Sequence, residues 1–407
     1  MNLETVRDQF PALREKTFLD SACVSLAPQV AVDAVKAFLE MALLCPEPSA
    51  TLHHIAMDDM RLPARREIAR LIHAREDEIA LVESTTHGLS IAAQALPLER
   101  GDRVLLADVE FMQVALPWCQ MRDRGEIEID VVPHRHGEIE AEDFAAYMTP
   151  RTKVVAVSSV QWSYGYRLDL KALGKICRDA GCWLVVDAIQ QLGAMPLDVR
   201  ETHVDFLACG GHKWLNAPFG QGFLYVRRDV LPRLRRPLAG YLSLQPPAGG
   251  WGNYFQTPSI TPVRDYSFAE EARLYEIGGT SNYPGAVGLA ASVKLLNEIG
   301  PENVASRIVS LTNQLMQGVE RIGAEVVTPR ALENRSGIVT FSLGAPEKNL
   351  SLMEHLLRNK VLVSVRYTSG VGGVRVSCHF FNARADVEWL LELTEAFMRG
   401  RGKSVAT

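Results

Sequence analysis

Lys213 is the residue of this chain best placed for covalent chemistry. It lies in DFLACGGHKWLNAPFGQGFLYV, Asp205 to Val226, on a turn beside two glycines and His212. The apolar runs on either side read as buried strands. A lysine held between them loses water, and desolvation or cationic neighbours lower its pKa. The free amine then forms an imine with an aldehyde. A lysine that merely caps a loop beside turn glycines gives the same pattern, so this stretch alone leaves both readings open.

Upstream, Leu184 to Asp187 reads LVVD, a short apolar run ending in a carboxylate. An acid just past a buried strand sits where ligands of open α/β sheets bind. Asp187 lies 26 residues before Lys213. Lysine for an aldehyde and aspartate for a protonated ring nitrogen are the pairing expected of pyridoxal 5′-phosphate. Alone, Asp187 reads better as a helix cap; with Lys213 it reads better as a cofactor residue. Ser84, Thr85 and Thr86 open a small-residue helix in ESTTHGLSIAAQAL. Hydroxyls and free N–H groups at a helix N-terminus make a phosphate site, and the same residues also make a plain N-cap.

The elements that must carry these residues follow from hydrophobic patterning. Val30, Val32, Ala34, Val35, Phe38 and Leu39 recur at helical spacing over 28–44. A second helix is expected over 58–74 and a brief strand over 17–22. Strands are expected at 78–82, 103–107, 131–132, 154–158, 184–187, 206 onward and 223–226, with helices at 83–96 and 170–180. Strands alternating with helices over 75–230 indicate a mostly parallel sheet covered on both faces. Residues 237–267, rich in Pro, Gly and aromatics, show no period and read as a functional loop or a subunit contact. A long helix is expected from the EIGGTSNYP stretch, 276–284, to Leu296. Residues 300–400 read as a smaller lobe of helix, strand, helix, strand, strand, helix.

Composition bounds the rest. Of 407 residues, 47% are hydrophobic and 22% charged, which is ample for a large core and a second lobe. A net charge of −5 gives no basic surface for a polyanion, so no nucleic-acid partner is expected. The charged N-terminus has no apolar core of a signal peptide, and no stretch reaches membrane-span length. The seven cysteines are scattered without a CxxC pair and read as reduced thiols of a cytoplasmic protein. The ten histidines show no metal spacing, so no metal is expected.

From FLDSA near residue 20 to HFFNARADVEWLL near 380, the chain resembles the class V aminotransferases. These are fold-type I pyridoxal-phosphate enzymes that include cysteine desulfurases, selenocysteine lyases, kynureninases and isopenicillin N epimerases. The resemblance implies an α/β fold: a large cofactor domain, 18–290, with a seven-stranded mostly parallel sheet, and a smaller α+β domain formed by 1–17 with 291–407. Lys213 in GGHKW matches the Schiff-base lysine, and His212 its phosphate-touching neighbour. Asp187 and Gln190 in VVDAIQQLG match the acid at the pyridine nitrogen and the glutamine at the ring oxygen. Thr85 and Thr86 match the residues that wrap the phosphate. Thr280 in GGTSNYPG matches a threonine that reaches the partner subunit's cofactor, which implies a homodimer. Arg375 in VRVSCHFFN matches the arginine of the substrate α-carboxylate, a task its fork of donors suits. Ala22 and Trp162 fall at substrate-contacting positions.

Three departures narrow the chemistry. The connection that carries a nucleophilic cysteine in desulfurases is here only YTSGVGG, 367–373. Cys378, on the following strand, reads as a packing residue. Phe111 stands at the ring-stacking position of the desulfurase histidine and carries no proton. Gly210 replaces a serine before His212. Persulfide formation is therefore not expected. With Lys213 moving the α-proton, the first expectation is β-elimination from a cysteine-derived amino acid, a C–S lyase reaction. Transamination and epimerisation are the alternatives. A cofactor-binding regulator is disfavoured because no helix-turn-helix segment or basic patch is left over.

Overall fold

The computed structural model describes residues 3–400. In chain order the strands are β1 (Thr17–Phe18), β2 (Ile79–Val82), β3 (Asp102–Ala107), β4 (Ile127–Val132), β5 (Thr152–Ser158), β6 (Trp183–Asp187), β7 (Phe206–Gly210), β8 (Gly222–Val226), β9 (Glu325–Val326), β10 (Ile338–Ser342), β11 (Val361–Leu362), β12 (Ser364–Thr368) and β13 (Val371–Ser377). Seven of them form the central sheet in the order β2-β8-β7-β6-β5-β3-β4. Only β8 runs against the rest, pairing antiparallel with both β7 and β2.

The sheet follows from its residues. β5, β6, β7 and β8 are short apolar runs with almost every position buried, as strands covered on both faces must be. The edge strand β4 is half exposed and carries Glu128 and Asp130, both paired to Arg103 of β3. Charge on an edge discourages pairing with another chain. The helix Thr85–Ala95 packs on β7 and β8. There Gly88 lets the helix approach closely, since a Cβ at that position would stand 3.0 Å from Ala208 Cβ.

Residues 300 onward build a second, smaller sheet, β12-β13-β10-β9, entirely antiparallel. The helices Pro301–Arg321, Pro346–Arg358 and Arg384–Met398 pack against one another and against this sheet around a separate apolar cluster that includes Leu315, Phe341, Leu356, Val376 and Leu390. β1 pairs in parallel with β11, so the start of the chain is tied to this lobe. The helix Tyr283–Ile299 is continuous and lies on the helices Gln29–Leu44 and Leu62–Ile72. Among the described residues, no helix is long and apolar enough to cross a membrane.

Three expected elements differ. The helix expected over 58–74 is two helices, Ala50–Asp59 and Leu62–Ile72. Pro63 favours a fresh start there, because its missing N–H is tolerated only in a first turn. Arg61 at the break turns inward to pair with Asp58 and Glu276. The strand expected over 17–22 stops at Phe18. The chain then turns, with Cys23 N–H donating to Asp20 O. The helix expected from 276 begins at Tyr283, where the Asn282 side chain caps it by accepting from Gly285 N–H. Residues 237–267 hold only short helical turns, gathered round a cluster of Tyr241, Trp251, Tyr254 and Phe255.

Candidate active site

The C-terminal ends of β5 and β6 and the turn after β7 open into one cleft of about 390 Å³. Parallel strands end their ladders there, which leaves side chains and backbone groups free to meet a ligand. Every site residue expected from the sequence lines this cleft except Thr280. Thr280 is exposed on the surface of the chain. A somewhat larger cleft, about 490 Å³, lies beside the helix Leu170–Ala180 and holds none of these residues.

The Lys213 side chain has no hydrogen bond or ion pair among the described residues. Its ammonium stands 5.9 Å from the centroid of the Phe111 ring. Burial lowers its pKa from 10.5 to about 8, against the opposing pull of Asp187. Asp187 ends β6 and is 3% exposed. One of its oxygens accepts from Ile189 N–H at 2.9 Å, and it makes no salt bridge among the described residues. Burial raises its pKa to about 6. A buried carboxylate and a buried amine, neither paired, are costly in a finished site. They suit a ligand that brings an aldehyde to one and a protonated ring nitrogen to the other.

The other end of the cleft is built round the start of the helix Thr85–Ala95. Ser84 caps the helix Thr85–Ala95 by accepting from His87 N–H, and the first backbone N–H groups of a helix have no partner within it. Thr85 is buried and its hydroxyl accepts from Gly210 N–H at 2.8 Å, whereas Thr86 is exposed to the cleft. His212 stacks on Phe219, with ring centroids 5.1 Å apart. Burial lowers the His212 pKa to about 4, so the ring is neutral near pH 7 and offers an N–H. Gln190 accepts from Trp214 Nε1–H at 2.8 Å and donates to Ala22 O at 3.0 Å, which leaves its second amide hydrogen for the cleft. Phe111 meets Trp162 edge-on, with centroids 5.2 Å apart. Trp162 Nε1 is buried without a partner.

Arg375, on β13, is 2% exposed. It donates to Asp20 at 3.0 Å and to the backbone oxygen of Trp162 at 2.8 Å, so the smaller lobe closes one side of the cleft. The hairpin of β12 and β13 turns through Ser369 and Gly370, both at positive φ, which is the tight turn that fits strand twist. It holds no cysteine. Cys378 is fully buried, and burial pushes its thiol up to about 12.

Four residues of the site escaped the sequence reading as functional groups. Glu110, half-buried in the segment just after β3, accepts from Ser158 N–H and Oγ–H at the end of β5, next to Asp187 on the neighbouring strand end. Burial raises its pKa to about 7. Asp20 holds Arg375. Cys23 and Arg366 line the mouth, with Arg366 Nη2 3.8 Å from Cys23 Sγ. Glu110 had one available signal, an acid in the first residues after an apolar run, as with Asp187. Arg366 also had one, the alternation that puts it on the same strand face as Ser364.

The family model of aminotransferase class-V matches residues 17–390. The chain belongs to the class-V aminotransferase family. Enzymes of this family use pyridoxal 5′-phosphate, and the cleft fits that cofactor. A relative named "Probable cysteine desulfurase" from Pyrococcus abyssi (strain GE5 / Orsay) is 26% identical over 97% of this chain and 98% of its own. An "Uncharacterized aminotransferase" of Bacillus subtilis (strain 168) is also 26% identical, over 96% of each chain. Among solved structures, the apo cysteine desulfurase of Thermococcus onnurineus NA1 superposes with a TM-score of 0.84 at 26% identity, covering 98% of each chain. A cystine C-S lyase solved with its product cysteine persulfide gives 0.84 at 24% identity, covering 95% of this chain and 99% of its own, and supports the fold.

Proposed function

We propose that this enzyme eliminates a β-substituent from a cysteine-derived amino acid. The observation that carries the proposal is a cleft that gathers Lys213, Asp187 and Arg375 beside a short hairpin with no cysteine. When bound, pyridoxal phosphate withdraws electrons from the substrate and acidifies its α-carbon. Lys213 carries the cofactor and, once freed by substrate, moves the proton at Cα, with a pKa near 8 that suits both directions. Asp187 and Gln190 hold the ring, Phe111 covers its face, and His212, Thr85 and Thr86 hold the phosphate. Arg375 orients the α-carboxylate, with Ala22 and Trp162 beside it. Elimination needs no further nucleophile, only a leaving group.

The relatives' names favour a second reading, desulfuration, which the hairpin argues against. Products separate the two. Purified holoprotein given S-substituted cysteines is expected to release pyruvate and ammonia in equal amounts. Alanine with persulfide sulfur, formed from unsubstituted cysteine, would make the enzyme a desulfurase instead. Accumulation of the pyridoxamine form, reversed by a keto acid, would make it an aminotransferase, and racemised substrate an epimerase.

We read the assembly as a homodimer in which Thr280 reaches the partner's cofactor. Leu39, Leu43, Leu44 and Leu52, exposed on the helices Gln29–Leu44 and Ala50–Asp59, support an apolar subunit contact. Seven unpaired thiols support a reducing compartment, the cytoplasm.

A further inference from the structure

Cys23 stands at the mouth of the cleft and is exposed. Among the described residues it is the only cysteine that lines this cleft. Its backbone is held on both sides. Ala22 O, one residue back, accepts from Gln190 Nε2–H at 3.0 Å. Ser25 N–H, two residues on, donates to His212 O at 2.9 Å, and Asn216 Nδ2–H donates to Ser25 Oγ at 2.7 Å. The turn that carries the thiol is therefore tied to the segments that carry Gln190, His212 and Lys213.

The surroundings suit a sulfur nucleophile. Arg366 Nη2–H donates toward Cys23 Sγ at 3.8 Å. The thiolate is the attacking form of a cysteine, and the guanidinium places positive charge beside it. The same cleft draws ligands past this sulfur. The Lys213 side chain has no hydrogen bond or ion pair among the described residues, and Arg375 Nε, on a side chain 2% exposed, has no partner.

We infer that Cys23 is a modification site for small disulfides, and that the mixed disulfide it forms narrows the entrance to the cleft. Cys23 Sγ attacks one sulfur of R–S–S–R. A Cys23–S–S–R bond forms, the old S–S bond breaks, and the other half leaves as a thiolate that takes up the proton Cys23 gave. The disulfide is itself the oxidant, and a small thiol reverses the exchange by the same route. Cysteine-derived substrates of the proposed reaction include disulfides, so an excess of such a substrate would close the site that consumes it. That consequence rests on the proposed function; the exchange itself does not.

Peptide mapping of the holoprotein treated with hydroxyethyl disulfide, a probe with no amine to meet the cofactor, tests the inference. The adduct is expected on Cys23, absent from Cys209 and Cys378, and removed by dithiothreitol. Hydroxylamine, which frees the cofactor from its lysine, should then discharge the visible band severalfold more slowly from the modified protein than from the same protein after dithiothreitol. Arg366→Gln is expected to slow the exchange about threefold, the worth of one exposed charge contact. Cys23→Ser should show neither the adduct nor the slowing. A Cys23 left unmodified in wild-type holoprotein would overturn the inference. So would an adduct on Cys23 that leaves the hydroxylamine rate unchanged. Both wild-type results decide the matter even where Cys23→Ser fails to fold. If elimination is the wrong reaction, the product assay alone fails, and the exchange at Cys23 stands.

Discussion

Arg375 donates to the carboxylate of Asp20 at 3.0 Å, and the same Asp20 oxygen accepts from the Ser364 hydroxyl. One acid thus holds both strands of the hairpin to the turn after β1. Removing it strands a cation that is 2% exposed. Asp20→Ala is expected to destabilise the protein by about 3–5 kcal/mol, the usual cost of breaking a buried pair from one side. Asp20→Asn should cost less, since its amide oxygen still accepts both bonds. Thermal unfolding of the two variants checks the order; equal melting temperatures for Asp20→Ala and wild type would remove the role given to this pair.

Lys213 predicts how the protein takes up its cofactor. With a pKa near 8, roughly a tenth of the amine is free at pH 7, against well under one part in a thousand for an ordinary lysine. The free amine is the reactive form, so uptake should speed up from pH 6 to about 8 and level off above. Stopped-flow absorbance of apo-protein mixed with pyridoxal phosphate reads this directly. Lys213→Ala should show no covalent link after borohydride reduction. A wild-type rate still climbing tenfold between pH 9 and 10 would mean that the amine is not desolvated.

Glu110 gives a pH-dependent stability of defined sign. Its folded pKa, about 7, lies above the ordinary 4.5, so the folded state holds a proton that the unfolded state releases. Stability contributed by that proton is lost as pH rises from 4.5 through 7, on the order of 3 kcal/mol in full. Glu110→Gln never ionises. In the apo-protein, this variant should match wild type near pH 5 and gain on it by pH 8, as measured by denaturation at both values. A difference that does not change with pH would assign Glu110 a purely packing role.

Cysteine reactivity should sort by exposure. Cys23 and Cys45 are exposed, while Cys209 and Cys378 are fully buried, and burial raises both buried thiols. Iodoacetamide is therefore expected to modify Cys23 before Cys209 and Cys378 under native conditions, as mass spectrometry of peptides would reveal. Cys378→Ala should keep turnover and lose only some stability. Loss of turnover in that variant with folding intact would return Cys378 to the chemistry.

The sequence carried the residues whose role depends on local order. Lys213, His212, Asp187 and Gln190 sit at strand ends or in the turns after them, and a short apolar run followed by a polar residue marks such a place within a few positions. The alternation of strands and helices gave the central sheet, and β8 alone departs from its parallel run. Residues that depend on register were harder to read. Arg366 joins the cleft only because β12 pairs with β13 with Ser364 opposite Arg375. Asp20 matters because the turn after β1 meets a strand more than 350 residues later. The break between the helices Ala50–Asp59 and Leu62–Ile72 depends on Arg61 reaching Glu276, which helical periodicity does not register.

The hairpin tip is fastened as well as short. Ser369 Oγ–H donates to the backbone oxygen of Asp108 at 2.5 Å, on the segment after β3. This contact ties the two-residue turn to the opposite side of the cleft, so the rim is short and braced at its tip. On the proposed elimination, the released fragment would depart by diffusion through that opening. No arm of this hairpin can carry it across to a waiting acceptor.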